Sequence, residues 1–287
     1  MENKAKTVII TGGASGIGKS LAFYYGHKGY NIVIADIEEP ALEATASELT
    51  ADNIVVLSVL TDVSDLKSVQ ALADHSINTF GPPTLVCLNA GVGTGGEMGE
   101  ITIADWQWVL SVNLWGVIHG LSVFLPIMQQ EDNGHIVITS SIAGHLSYPR
   151  MGPYNASKHA VLTIAETLYY ELAEAQSNVG VSVLCPGLVR TQILNSERNR
   201  PESLMGNPLN SSDEEDDIRR AIVQEIYDQA LDPSIVAELV FEAVESKQLY
   251  IFTDDSFSDA LRQRHDNIEN GRNPNPSANL IEEHLNE

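Results

Sequence analysis

Tyr154 and Lys158 are the residues best placed by type and spacing to do chemistry. They stand four apart in a run of good helix formers, so a helix carries both on one face. A phenol with an ordinary pKa of ~10 is a poor base at neutral pH, but an adjacent ammonium favours the phenolate. Together the two side chains can take or give a proton. Thirteen residues before Tyr154, the β-branched run 135–139 ends in Thr139-Ser140-Ser141 and sets a hydroxyl at a strand end.

A second reactive feature lies near the N-terminus. The run 7–11 reads as a strand and leads into Thr11-Gly12-Gly13-Ala14-Ser15-Gly16-Ile17-Gly18-Lys19. The glycines at 12, 16 and 18 have GxxxGxG spacing rather than the GxGxxG dinucleotide fingerprint, but the physics is shared. One glycine permits the tight turn, another lets backbone approach a pyrophosphate, and a third allows close helix–strand packing. The helix start then offers free N–H groups and a positive dipole end. Two other readings fit these residues alone: a purely structural strand–helix turn, and a P-loop, because Gly13-x-x-x-x-Gly18-Lys19-Ser20 satisfies that pattern.

The second strand favours a dinucleotide. Its run, 31–35, ends in Asp36, 18 residues after Gly18, close to the ~20-residue offset at which an acid hydrogen-bonds the adenosine ribose. The same acid repels a 2′-phosphate. Ile37, Glu38 and Glu39 come next with no neighbouring Arg or Lys, so NAD is expected over NADP.

The elements that must hold these residues alternate along the chain. Strand-like runs at 7–11, 31–35, 53–58, 85–88, 135–139 and 181–184 are separated by helical patterns at 19–28, 40–50, 66–80, 102–130 and 154–176, the fourth ending near Pro126. Continuous apolar strands between helices predict a parallel sheet covered on both faces, an α/β doubly wound Rossmann-type fold. Further on, 218–229 and 234–246 have helical spacing, and 249–252 reads as a seventh strand. The stretch 191–217 is polar and too long for a plain connection, which suggests a loop or lid over the substrate. With no internal repeat and no second core, one domain over residues 1–255 is expected, its substrate loop at about 191–232, with a partly flexible extension at 256–287.

Thr11–Gly18, Asp62-Val63, Asn89-Ala90-Gly91, Asn113, Ser141, Tyr154-x-x-x-Lys158 and Pro186-Gly187 occur in that order. This set resembles the motifs of the short-chain dehydrogenase/reductase family over roughly residues 5–255. One departure is Leu88, where that family commonly has a further asparagine. The resemblance implies an enzyme that interconverts a secondary alcohol and a ketone, with Tyr154 as general acid and base. It implies that Ser141 binds the substrate oxygen, that Lys158 also holds the nicotinamide ribose, and that Asn113 supports a water relay. It further implies that Gly12, Ser15, Ile17 and Gly18 cradle the pyrophosphate and that Asp36 and Ile37 lie at the adenosine ribose. Asp62 and Val63 would flank adenine, and Asn89, Ala90 and Gly91 would line the adenosine side. Pro186, Gly187, Val189 and Thr191 would meet the nicotinamide carboxamide. The P-loop match then becomes an overlap with TGxxxGxG. An NADP-dependent biosynthetic ketoreductase and a non-enzymatic dinucleotide-binding regulator remain as rival readings.

Charge and composition bound the partners. The 287 residues carry a net −23, with 19 acidic and 10 basic residues in 1–200 against 20 and 6 in 201–287. So acidic a chain is a poor ligand for nucleic acid or anionic lipid. Two cysteines in apolar runs make no disulfide framework and suit a reducing compartment. No signal pattern opens the chain, and the apolar run 110–128 is interrupted by Asn113, His119 and Pro126. A cytoplasmic protein with no membrane segment is expected. No HExxH or cysteine cluster points to a metal. His145, four residues after Ser141, is a candidate substrate-facing side chain. Trp106, Trp108 and Trp115 are expected in the core or at a subunit interface. The substrate walls are expected from 141–148, 93–98 and the loop after Thr191, which suggests a mostly apolar alcohol or ketone. By resemblance, the helices at 102–130 and 154–176 would pair two copies into a homodimer, with a homotetramer as the alternative.

Overall fold

A computed structural model describes residues 5–205, 225–227 and 229–274. Its centre is a seven-stranded parallel sheet of order β3-β2-β1-β4-β5-β6-β7. The strands are β1 (Thr7–Thr11), β2 (Asn31–Asp36), β3 (Val56–Leu60), β4 (Leu85–Leu88), β5 (His135–Thr139), β6 (Gly180–Cys185) and β7 (Tyr250–Phe252). β1, β4 and β5 are buried at every position, as strands covered on both faces must be. The expected Rossmann-type sheet is the observed one.

Helices α1 (Gly16–His27), α2 (Glu39–Ala51) and α7 (Pro233–Ser246) cover one face, and α3 (Leu66–Phe80), α5 (Gly116–Glu131) and α6 (Gly152–Glu174) cover the other. The first face buries Val8, Ile10, Ile32 and Ile34 against Leu21, Leu49 and Val240. The second buries Ile9, Val33, Val86 and Ile136 against Leu72, Phe124 and Val161. Alternate residues of β1 thus feed opposite cores. Fully burying one such side chain contributes about 1.5–3 kcal/mol. A fully buried side chain such as Ile9, cut back to Ala, would cost about 2–5 kcal/mol.

Four boundaries depart from the sequence pattern for local reasons. α1 begins at Gly16 rather than residue 19, its glycines wound into the first turn, where Gly16 faces Thr191 and Gly18 faces the Gly12 carbonyl. β3 starts at Val56, because Ile54 still donates to the Leu49 carbonyl and Asn53 turns left-handed at φ 61° to end α2. The single helix expected over 102–130 is three pieces: α4 (Ile103–Leu110), a π-helical turn (Ser111–Trp115) and α5, which runs through Pro126 to Glu131. Buried Phe124 and Met128 flank the proline and hold the helix to the sheet. Although long and apolar enough to cross a membrane, this stretch packs on α3, α6 and the sheet. Finally, the tail contains helix α8 (Ser258–Glu269). The acidic run 213–217, most of the helix expected at 218–229 and the last residues lie outside the described part of the chain.

Candidate active site

The carboxyl ends of β1, β4, β5 and β6 converge where the strand order reverses between β1 and β4, the switch point at which doubly wound sheets form their crevice. The glycine turn leaves β1, Asn89–Gly91 leaves β4, Ser140-Ser141 leaves β5 and Pro186-Gly187 leaves β6.

Lys158 and Tyr154 lie in the first turns of α6. The Lys158 Nζ sits 5.5 Å from the centre of the Tyr154 ring and donates to the Thr139 carbonyl at 2.9 Å. Burial disfavours the ammonium and pushes Lys158 down to about 8, with a smaller opposing pull from Cys185. The Tyr154 phenol is pushed above its usual range by burial and by Tyr227, against a hydrogen bond with Ser141 that draws it down. Ser141 is fixed in turn: its hydroxyl donates to the Pro186 carbonyl at 3.4 Å and accepts from the Ala143 N–H at 3.1 Å. Ser140 donates to the Lys158 carbonyl at 2.8 Å and ties α6 to the end of β5. The resting proton is thus on the phenol, beside a buried ammonium whose pKa is drawn down to about 8.

Asn113, in the π-helical turn, is buried with its side chain fully engaged. Its Oδ1 accepts from the Val92 N–H at 2.8 Å, and its Nδ2 donates to the Val92 carbonyl at 2.9 Å and to Ser157 Oγ at 3.1 Å. It therefore stitches the β4 loop to α6 beneath Tyr154.

The glycine turn has the shape a dinucleotide needs. Gly12 adopts φ +66°, and a Cβ there would lie 2.9 Å from the Ala90 Cα. A Cβ on Gly18 would collide with the Gly12 carbonyl. No acidic side chain occupies the first turn of α1, and Ser15 is its N-cap without a side-chain cap bond. Asp36 accepts from the Ala14 N–H at 3.0 Å and the Glu38 N–H at 3.1 Å. Burial outweighs those bonds and raises its carboxyl. A Cβ on Gly91 would lie 3.6 Å from the Lys158 Nζ, so the cofactor-side loop and the reactive amine share one space. The residues present fit a nicotinamide dinucleotide.

The other residues expected at the cofactor have these partners within the fold. Asn89 holds the turn by donating to the Thr11 carbonyl at 3.0 Å, and Ala90 donates to Thr11 Oγ1 at 3.1 Å. Asp62 accepts from the Ser64 N–H and hydroxyl at 2.9 and 2.7 Å. Val63 packs on Gly116 of α5, while Ile17 and Val189 are buried in the α1–α7 core. Ile37 is exposed beside Asp36. Gly187 packs on Phe257, Pro186 accepts from the Ile142 N–H, and Thr191 lies over Gly16. Lys19 pairs with Glu48 of α2 at 2.7 Å. His145 bonds Cys185 Sγ at 3.4 Å and lies tilted against the Phe252 ring at 5.4 Å. Its ring lies against β6 and β7. Trp108 is buried, and Trp115 is half exposed.

Several contributors have no sequence signal of their own. Thr11 and Ser157 sit inside the recognised motifs but carry no chemistry, so only their contacts disclose them. Tyr227 lies in no motif. Arg198 is the notable one: 160 residues from Glu38 in the chain, it pairs with Glu38 at 2.6 Å. The stretch after Asp36 thus has no basic residue along the chain, but Glu38, two residues on, has a basic partner in space.

A family model described as short chain dehydrogenase matches residues 6–202. The chain belongs to the short-chain dehydrogenase family. Among its relatives is a CLA biosynthesis dehydrogenase/reductase of Lactiplantibacillus plantarum, 30% identical over 264 residues, which cover 91% of this chain and 92% of that one. A C alpha-dehydrogenase of Sphingobium sp. is 33% identical over 248 residues, 86% and 79% of the two chains. The crystal structure of a short-chain dehydrogenase/reductase from Burkholderia phymatum in complex with NAD superimposes with a TM-score of 0.92 at 42% identity, covering 98% of this chain and all of that one. This short-chain dehydrogenase is thus an oxidoreductase by family, and its Ser–Tyr–Lys group lies at the switch point of the sheet.

Proposed function

We propose that the chain is an NAD-dependent oxidoreductase interconverting a secondary alcohol and a ketone, with Tyr154 moving the proton. The observation that carries this reading is the packing of the Lys158 ammonium against the Tyr154 phenol, with Ser141 hydrogen-bonded to that phenol. NAD, when bound, supplies the hydride acceptor for oxidation, and its reduced form the donor for reduction. The rest is done by side chains. In oxidation Tyr154 takes the hydroxyl proton, and in reduction it returns one to the carbonyl oxygen. Ser141 donates a hydrogen bond to the same oxygen and stabilises charge that develops there. Lys158 favours the phenolate and would also hold the nicotinamide ribose. Asn113 positions Val92 and Ser157, and a proton relay from Lys158 would have to bypass its engaged amide.

Asp36 supports NAD, because a carboxylate at the ribose repels a 2′-phosphate. A C alpha-dehydrogenase among the relatives and NAD in a close structural relative agree with this reading. The substrate walls favour a mostly apolar molecule: a Cβ on Gly93 would lie 3.7 Å from Ile193 and 3.9 Å from the Tyr154 ring, while Met98 and Leu194 are exposed nearby. NADP use is the second reading, and Arg198 is the observation that favours it. We further infer a cytoplasmic homodimer that pairs through α4–α5 and α6, where Trp115 and Tyr170 are exposed. A screen of secondary alcohols with NAD and with NADP, read by absorbance of the reduced nicotinamide, tests the activity. A large preference for NADP would overturn the reading of Asp36.

A further inference from the structure

The segment after β6 does more than wall the substrate. It starts at the glycine turn, where a Cβ on Gly16 would lie 2.9 Å from Thr191 Cγ2. It then crosses to the β4 loop, where Ser196 Oγ accepts from the Gly93 N–H at 3.0 Å. It returns to the end of β2, where Arg198 meets Glu38. From there Arg200 reaches α4, ion-pairs with Asp105 at 2.5 Å and stacks over Trp108 at 5.1 Å. The strap therefore bridges the β1–β2 side and the β4 side of the cleft that the glycine turn lines.

The Arg198 contact is built rather than incidental. Its Nε and Nη2 make a two-pronged pair with Glu38 at 3.1 and 2.6 Å. Its Nη1 donates to the Gln192 and Asn195 carbonyls at 3.1 and 2.7 Å. Asn199 Nδ2 adds a bond to Glu38 Oε1 at 2.8 Å. Both side chains of the pair are about one-third exposed or less. An isolated surface ion pair contributes little, but a fork-shaped pair whose guanidinium is already held by its own loop loses little entropy on closing. The Glu38 N–H also donates to Asp36 Oδ1, so the clasp attaches directly to the residue expected at the adenosine ribose.

We propose that Glu38 and Arg198 form a clasp that closes the strap over the adenosine end of the dinucleotide cleft, and that its opening sets the rate of dinucleotide release. Arg198 and Glu38 are positioning residues: they hold the cover and touch no reacting atom. The proposal rests on the dinucleotide reading of the site. Its test is stopped-flow dissociation of NADH from the full-length protein, followed by nicotinamide fluorescence as excess NAD displaces it. Arg198→Ala and Glu38→Gln should each speed dissociation about tenfold or more and raise the KM for NAD, with the KM for the alcohol nearly unchanged. The double variant should dissociate no faster than Arg198→Ala alone, because the two act as one unit. Unchanged dissociation in both single variants would overturn the clasp, as would fully additive effects in the double. Failure of the unmodified protein to bind NADH would overturn the dinucleotide reading beneath it, a result distinct from binding with unaltered release.

Discussion

Lys158 holds its ammonium against the Tyr154 ring while anchored to the last carbonyl of β5, so the reactive pair is positioned by the sheet. Removing the phenolic oxygen should then remove proton transfer and little else. Tyr154→Phe is expected to lose about 10²–10⁴-fold in kcat, with NADH affinity within about threefold of the parent. Retention of turnover in that variant would refute Tyr154 as the acid and base.

The same pair sets the pH profile. Burial holds the Tyr154 phenol protonated above its usual range, and oxidation needs it deprotonated, so kcat/KM for alcohol oxidation should rise with pH across the alkaline range. Ketone reduction needs the proton and should fall over the same range. Lys158→Met removes the cation and should displace both limbs to higher pH. Steady-state rates from pH 6 to 10 in both directions check this.

Lys158 also bears on stability. Its folded pKa of about 8 lies below the ordinary lysine value, so the fold binds fewer protons than the unfolded chain between about 8 and 10.5. Stability contributed by this group therefore increases as pH rises through that window. At pH 7 the buried ammonium is a cost, and Lys158→Met should melt a few degrees higher while losing activity. The gap should shrink by pH 10.

Cofactor choice rests on Asp36. Asp36→Asn removes the repelling charge and should raise kcat/KM with NADP at least tenfold while lowering it with NAD. Adding Glu38→Gln frees the Arg198 guanidinium beside that position and should raise NADP use further. Equal ratios of the two cofactors in parent and variants would show that discrimination lies elsewhere.

His135 sets an acid limit. Buried and bonded to Ser182 Oγ at 2.7 Å, it is pushed down to about 4, chiefly by burial. A depressed histidine contributes stability above its unfolded pKa of about 6.5 and loses it as pH falls toward 4. The loss is on the order of 3 kcal/mol. Chemical denaturation at pH 7, 5.5 and 4 should show that decline, and His135→Val should flatten it whatever its absolute stability.

The sheet was legible because its signals are local: the runs 136–138 and Leu85–Leu88 are apolar throughout and bounded by polar residues or breakers. The site was legible because Tyr154 and Lys158 share a helical face and the glycine turn repeats a spacing that backbone sterics demand. Where sequence and structure part, the cause is tertiary. Nothing near Glu38 announces Arg198, since the partner arrives through the fold of a loop 160 residues away. The π turn around Asn113 has no sequence period, and Pro126 should have ended a helix that sheet packing keeps intact. The side chains of Val189 and Ile17 lie at cofactor-motif positions yet turn into the core, a choice of face that motif matching does not report.

β5 is only five residues long, yet His135 opens it and Thr139, the anchor of Lys158, closes it. The two ends are about 13 Å apart at the rise of an extended strand. The molecule thus keeps its acid fuse and its alkaline throttle at opposite poles of one rigid rod. An engineer seeking tolerance of low pH can work on the floor of the sheet without entering the chamber above it.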